Sequence, residues 1–270
     1  MKRIELFEFE DFDWLPKVVR SGVTNLIIVL HKMMGTKEVI ARLLVSIREK
    51  YEFYQIVDLG SGSGGPMPDV IEQLNKTTPQ EPVSLILSDL HPNPKIVDTF
   101  NNHVSGNVSY HKDAINAMDI ANTPKGVKTM IASFHHMNPS IAKKILNSAE
   151  ENNEPILIYE LAKNNVPFLI WCLLLPISLT ILITMSLVMT LFVRPLRFKQ
   201  LLFTYIIPLI PIVYAWDGQA SLMRTYTFND VKKLLGENEN PNYTWTIADA
   251  KKANGKKLGY YISGVPVKST

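Results

Sequence analysis

The spacing of apolar and polar positions changes character several times along this chain. Residues 1–16 interleave Phe7, Phe9, Phe12 and Trp14 with carboxylates and end at Pro16. From 17 to 51 the apolar positions return with a helical period. Val18, Val19, Leu26, Ile27, Leu30, Met33 and Met34 can share one face, and Val39, Ile40, Leu43, Leu44 and Ile47 follow Gly35. The pattern predicts two helices with a break near Gly35.

The period then shortens. Residues 54–59 form an apolar run that ends in Gly60, Gly62, Gly64 and Gly65. A short apolar run before a glycine-rich turn reads as a buried parallel strand. Similar runs occur at 83–89, 108–113 (the weakest), 128–133 and 155–160, with helical patterns at 68–74 and 140–150. Strands alternating with helices predict an α/β fold with a doubly wound, mostly parallel sheet. A capped helix at 227–235 and strands at 243–248 and 258–265, joined through the turn Asn254-Gly255, close the chain.

One stretch breaks this alternation. Residues 166–193 hold 28 positions without a charge, Arg194, Arg197 and Lys199 follow, and 201–215 is a second uncharged run. The chain therefore divides into an N-terminal helical cap (1–50), a core (51–162), an apolar insertion (163–215) and the end of the core with its edge hairpin (216–270).

Composition changes the picture little. With 270 residues, 46% of them hydrophobic and 20% charged, the chain has material for a sizeable core and none of the bias of a disordered one. The single cysteine, Cys172, excludes a disulfide framework. A net charge of +3, from 28 basic and 25 acidic residues, gives no reason to expect nucleic acid. The acidic residues Glu5, Glu8, Glu10, Asp11 and Asp13 leave no room for an apolar signal core, so the N-terminal region is expected in the cytoplasm.

The chemistry gathers at Asp58-Leu59-Gly60-Ser61-Gly62-Ser63-Gly64. Glycines at alternate positions let a backbone turn tightly and approach a ligand with no Cβ in the way. The helix start that follows offers free N–H groups. Gly60, Gly62 and Gly65 also satisfy the dinucleotide spacing G-x-G-x-x-G, so the loop alone indicates a nucleotide-like ligand. Asp58, two residues before the first glycine, suits a ligand ammonium group and would repel a pyrophosphate. Asp89 ends the second strand, where a carboxylate can accept both ribose hydroxyls. Asp113, followed by Ala114, can read an adenine edge, with Asp119 as a nearby competitor. Gly65 reads as a packing position that lets the helix sit close to its strand.

With these residues in order, the chain resembles the class I S-adenosylmethionine-dependent methyltransferases. Motif I is similar to Val57-Asp58-Leu59-Gly60-Ser61-Gly62-Ser63-Gly64, and Ala132-Ser133-Phe134-His135-His136-Met137 is similar to the ending of the fourth strand in many small-molecule members. The resemblance implies a seven-stranded Rossmann-like sheet and S-adenosylmethionine as cofactor. It implies a cofactor set of Asp58, Gly60, Ser61, Gly62, Gly64, Asp89, Leu90, Asp113, Ala114 and Ser133. His135 or His136 would face the reactive methyl, either taking a proton from an oxygen nucleophile or ordering the loop. No metal is implied. The chain also resembles a bacterial branch of that superfamily in Phe9-Glu10-Asp11, Trp14-Leu15-Pro16, Asp89-Leu90-His91-Pro92-Asn93, Phe203-Thr204-Tyr205-Ile206-Ile207-Pro208, and Trp216-Asp217-Gly218 with Ser221 and Arg224-Thr225-Tyr226-Thr227. That second match adds no chemistry.

The insertion indicates a membrane. It is long enough to span, at about 20 residues per crossing. Strands before and after it belong to one sheet, however, so the chain must enter and return on the same side. The run at 201–215 is short and carries Pro208 and Pro211. A shallow hairpin that turns near Pro176 and returns by Val193 is expected, with the basic loop among anionic headgroups and Tyr205, Tyr214 and Trp216 at headgroup depth. A soluble lid or a dimer interface is the alternative. Trp14 either lines an acceptor cavity or packs on the sheet edge. Asp217 and Arg224 either contact substrate or form a structural ion pair.

The expectation is methyl transfer to a lipophilic small molecule at the cytoplasmic face of the cell membrane, with membrane lipid as partner. A non-catalytic scaffold of this fold and an NAD(P)-dependent oxidoreductase are the rivals. The acceptor and the oligomeric state are not legible.

Overall fold

The computed structural model describes residues 2–103, 106–236 and 240–267. In chain order it contains α1 (Lys17–Met34), α2 (Thr36–Arg48), β1 (Gln55–Leu59), α3 (Met67–Thr77), β2 (Ser84–Ser88), α4 (Pro94–His103), β3 (Val108–Tyr110), β4 (Val127–Ile131), α5 (Pro139–Glu151) and β5 (Ile156–Glu160). There follow α6 (Phe168–Thr190), α7 (Phe198–Leu201), α8 (Leu209–Arg224), α9 (Phe228–Leu235), β6 (Tyr243–Lys251) and β7 (Lys257–Pro266). These divide into two compact units: residues 35–161 with 228–270, and residues 1–34 with 162–227. The boundaries fall at 34, 161 and 227, where the sequence pattern suggested 50, 162 and 215. Gly35 adopts a left-handed φ of 67° between α1 and α2, and the division coincides with that break.

The larger unit is a seven-stranded sheet of order β3-β2-β1-β4-β5-β7-β6. β1 pairs in parallel with β2 and β4, β2 with β3, and β4 with β5. β7 runs antiparallel to β5 and β6. Ile56, Val57 and Leu59 of β1 and all of β5 are buried, as is expected of strands covered on both faces. α3 buries Val70, Ile71 and Leu74, and α5 buries Ala142, Ile145, Leu146 and Ala149. Near the amino end of β4, the fully buried Lys128 Nζ donates to the carbonyls of Pro124 and Gly126, both at 2.8 Å, and reaches Glu154 Oε2 at 3.2 Å. Burial pushes the Lys128 pKa down against the pull of Glu154.

The smaller unit joins the N-terminal segment to the apolar run. Val19, Val23, Leu26 and Val29 of α1 form one cluster with Met189, Val193, Ile210, Val213 and Tyr214. The hairpin expected within 166–193 is absent: α6 is continuous, with Pro176 inside it. Proline removes one backbone donor, so the carbonyl of Cys172, four residues before it, loses its partner, yet the Leu- and Ile-rich turns on either side carry the helix through. Thr180 Oγ1 also donates to the Pro176 carbonyl at 2.9 Å. The expected interruption occurs later, before Pro208. There the helical stretch Phe198–Ile206 meets α8 at a bend of 77°.

The N-terminal segment is strapped onto α8. Asp217 accepts the backbone N–H of Phe9 at 2.7 Å and of Glu10 at 3.2 Å, which satisfies the start of a 3-10 turn over Phe9–Asp11. Arg224 pairs with Glu8 at 3.2 Å and Asp11 at 2.6 Å. Ser221 donates to Glu8, and Trp216 Nε1 donates to the carbonyl of Phe7. The sequence stretches 9–11 and 216–224 are thus two halves of one tie.

Candidate active site

In an open parallel sheet, ligands bind beyond the carboxyl ends of the strands, where the strand order reverses. Here that point lies at β1, between β2 and β4. The loop 60–65 leaves β1 at this place. Gly60, Gly62, Gly64 and Gly65 have φ of 70°, 53°, 99° and 51°, values that disfavour a side chain. A Cβ on Gly64 would lie 2.7 Å from the Phe100 ring, so this glycine also serves close packing. A Cβ on Gly62 or Gly65 would meet nothing within 4 Å. Gly65 is therefore required by conformation and not by packing as its sequence position suggested. The open space over Gly62 leaves the backbone bare to a ligand.

Asp58 sits beneath this loop and is 4% exposed. Ser61 Oγ donates to its Oδ2 and Thr129 Oγ1 to its Oδ1, both at 2.6 Å. Burial pushes its pKa up to about 7, with a smaller push from Asp89, against the two hydroxyls that favour the charged form. Asp89, one residue beyond β2, accepts the N–H of Gly62 at 3.0 Å on Oδ2 and that of His91 at 2.9 Å on Oδ1. Each oxygen retains a second lone pair for a hydroxyl donor. Tyr110 at the end of β3 donates its hydroxyl to the carbonyl of Gly62 at 2.8 Å, and burial raises its pKa, so it stays a phenol.

Leu90 is half exposed beside Asp89. Asp113 and Ala114 are exposed in the loop after β3, and Ile115 N–H donates to the carbonyl of Asp89, drawing that loop to the end of β2. Asp119 lies further along and accepts from Asn122 Nδ2 at 2.8 Å. Ser133 follows Ala132, which holds a φ of 51° that is uncommon for alanine and marks a tight departure from β4. A Cβ on Gly60 would lie 3.8 Å from Ser133 Oγ. Ser63 Oγ and Ser133 Oγ are buried without a hydrogen-bond partner. The structure thus gathers the glycines, Asp58, Asp89 and Ser133 at the carboxyl ends of β1, β2 and β4. It keeps the Asp113 loop at the neighbouring strand end.

His135 is buried just beyond β4, and Glu160 at the end of β5 clamps it. Glu160 Oε1 accepts the His135 backbone N–H at 3.0 Å, and Oε2 lies 2.9 Å from Nδ1. The His136 ring is 4.3 Å away and half-buried. Glu160, Thr129 and Tyr110 were missed by sequence reasoning. The carboxylate that ends the fifth strand was the signal available for Glu160. Thr129 becomes a partner of Asp58 only through the register Asp58↔Thr129 between β1 and β4.

Trp14, Asp217 and Arg224 belong to the smaller unit. Trp14 is exposed and stacks on Phe12 with centroids 5.6 Å apart. Asp217 and Arg224 are buried in the tie to residues 8–11 described above. Neither cavity described in the larger unit includes the glycine loop. One lies between α5 and the end of α9, the other along α3 near Val108.

No protein-family model matches the chain. No curated protein matches it. Solved structures do. The plantazolicin methyltransferase BpumL in complex with SAH aligns with a TM-score of 0.51 at 11% identity, over 93% of this chain and 98% of that one. The plantazolicin methyltransferase BamL, in complex with a triazolic desmethylPZN analog and SAH, aligns at 0.50 and 13% over the same shares. At these identities the likeness is one of fold.

Proposed function

We propose that this chain, whose fold is that of the class I S-adenosylmethionine-dependent methyltransferases, transfers a methyl group from S-adenosylmethionine to a lipophilic small molecule at a membrane surface. The observation that carries the reading is Asp89 hydrogen-bonded to Gly62, which fixes a carboxylate at the lip of the bare glycine loop, where the two hydroxyls of a ribose fit.

The residues fit the group. Asp58 would take the ammonium of the methionine part and Asp89 the ribose. The loop of Asp113 and Ala114 serves the adenine edge. When bound, the sulfonium supplies an electrophilic methyl. Its product after donating the methyl would be S-adenosylhomocysteine. An acceptor hydroxyl must also lose its proton. His135, held by Glu160, takes it, and His136 beside it shapes the same wall. In-line displacement depends chiefly on positioning, which the rigid strand ends provide.

The membrane part of the reading rests on α6, whose most apolar 18 residues have a mean hydropathy of 2.4, and on Arg194, Arg197 and Lys199 after it. Calorimetric titration with S-adenosylmethionine, S-adenosylhomocysteine and NADH tests the cofactor. Binding near the micromolar range (about −8 kcal/mol) for the first two, lost in Asp89→Ala, is expected. Binding of NADH alone would make the chain an oxidoreductase, and binding of none would leave a scaffold. Labelled methyl transfer into a membrane lipid extract tests the acceptor class.

A further inference from the structure

We infer that α6 lies lengthwise in one leaflet of an anionic bilayer, with one face in lipid and the other on the protein, and does not cross. This rests on the membrane reading above and specifies it.

In sequence α6 is apolar all round, and its first turns, with Phe168, Leu169 and Cys172, are exposed on every side but that of Trp171. Beyond them the helix has two faces. Leu173, Leu174, Ile177, Ile181 and Val188 are exposed and, at about 100° per residue, fall within an arc of about 100°. Trp171, Leu182, Met185, Ser186 and Met189 occupy the other side, and Leu182, Met185 and Met189 belong to the cluster shared with α1 and α8. The exposed stripe runs for most of a helix about 34 Å long. Of the covering helices, α1 carries Lys17, Arg20 and Lys32, which oppose its entry into hydrocarbon, while Asp217 and Arg224 of α8 are buried in the tie to residues 8–11. A helix so flanked enters lipid by one face only.

The stripe suits lipid more than a second protein surface. Thr180 and Thr184, which share it, turn their hydroxyls back onto the carbonyls of Pro176 and Thr180, both at 2.9 Å. These two hydroxyls then ask for no further partner, as a hydrocarbon solvent requires. At its carboxyl end Arg194, Arg197 and Lys199 are exposed and alternate with the exposed Leu196 and Phe198. That alternation of cations and apolar side chains complements an anionic headgroup layer.

The test places single cysteines at Leu173, Ile177, Ile181 and Val188 in a Cys172→Ser background, each carrying an environment-sensitive fluorophore. Phosphatidylglycerol–phosphatidylcholine vesicles holding quenchers at shallow or deep acyl positions report depth. One shared shallow depth at all four positions is expected. A depth that changes progressively, or peaks at Ile177 and Ile181, would show a crossing helix and overturn the inference while keeping the membrane reading. No vesicle binding, with dimers in solution and labels shielded from every quencher, would overturn both. The triple variant Arg194→Gln, Arg197→Gln, Lys199→Gln should lose about a hundredfold in affinity for these vesicles. Its calorimetric S-adenosylmethionine binding should be unchanged, which certifies folding. Equal binding of wild type to neutral and anionic vesicles would overturn the headgroup assignment.

Discussion

Thr129 donates its hydroxyl to Asp58 Oδ1 at 2.6 Å from the neighbouring strand. With Ser61 on the other oxygen, Asp58 is held in one orientation beneath the glycine loop. Two hydroxyls do not repay the cost of removing a carboxylate from water, and its pKa stands near 7.

Asp58 therefore links pH to stability and, under the proposed function, to cofactor affinity. Its folded pKa of about 7 exceeds its usual 3.8. The stability it contributes is present in full below the lower value and is lost as pH rises through the higher one. Compared with Asp58→Asn, the ligand-free protein should lose thermal stability between these values. A ligand ammonium needs the ionised form, so affinity for S-adenosylmethionine should fall about tenfold per pH unit on acidification below 7. Calorimetry at pH 6 in buffers of different ionisation enthalpy should show proton release. A flat affinity with no proton released would sink the pairing.

Replacing His135 with Ala should slow turnover about 10²-fold while S-adenosylmethionine still binds. Glu160→Gln should also slow it. Glutamine offers one acceptor oxygen where Glu160 takes both the His135 N–H and Nδ1, so the ring is no longer held as before. Single-turnover rates beside cofactor affinities check this. Full activity in both variants would remove the histidine from the reaction.

Asp217→Asn should weaken the tie at residues 9–11, because an amide offers one acceptor oxygen to two backbone donors. A loss of about 1–3 kcal/mol of unfolding free energy is expected. Cofactor affinity should not change. Early protease cleavage near Phe12, followed by mass spectrometry, would localise the effect. An unaltered digestion pattern and stability would refute it.

Glu154→Gln removes the carboxylate that faces Lys128. Uncompensated buried cations are costly, so the variant should lose about 3 kcal/mol in denaturant unfolding. Lys128→Met with Glu154→Gln should recover much of that loss. A double variant no better than the single one would disprove the pairing.

β1, β2, β4 and β5 were legible because burial on both faces of a sheet leaves apolar runs, and the edge hairpin because Asn254-Gly255 marks its turn. α4 was not, since Pro94–His103 has little apolar content beyond Ile96, Val97 and Phe100. The glycines and Asp58 and Asp89 could be read from spacing within single segments. Thr129 and Glu160 could not, because their roles come from strand register and from contact between separate strand ends. Pro176 misled for a simpler reason. Proline costs a helix one backbone hydrogen bond, whereas here the apolar turns on either side of Pro176 keep α6 continuous.

The uncharged stripe of α6 also bears on how concentration enters the kinetics. A protein resting on such a face meets a lipophilic acceptor within a leaflet, not in the bulk phase. The relevant variable becomes the acceptor's mole fraction among lipids, and inert phospholipid acts as a diluent even when the total acceptor is constant. Rates then respond to the vesicle composition offered, and an assay run in detergent micelles reads the micelle as part of the substrate.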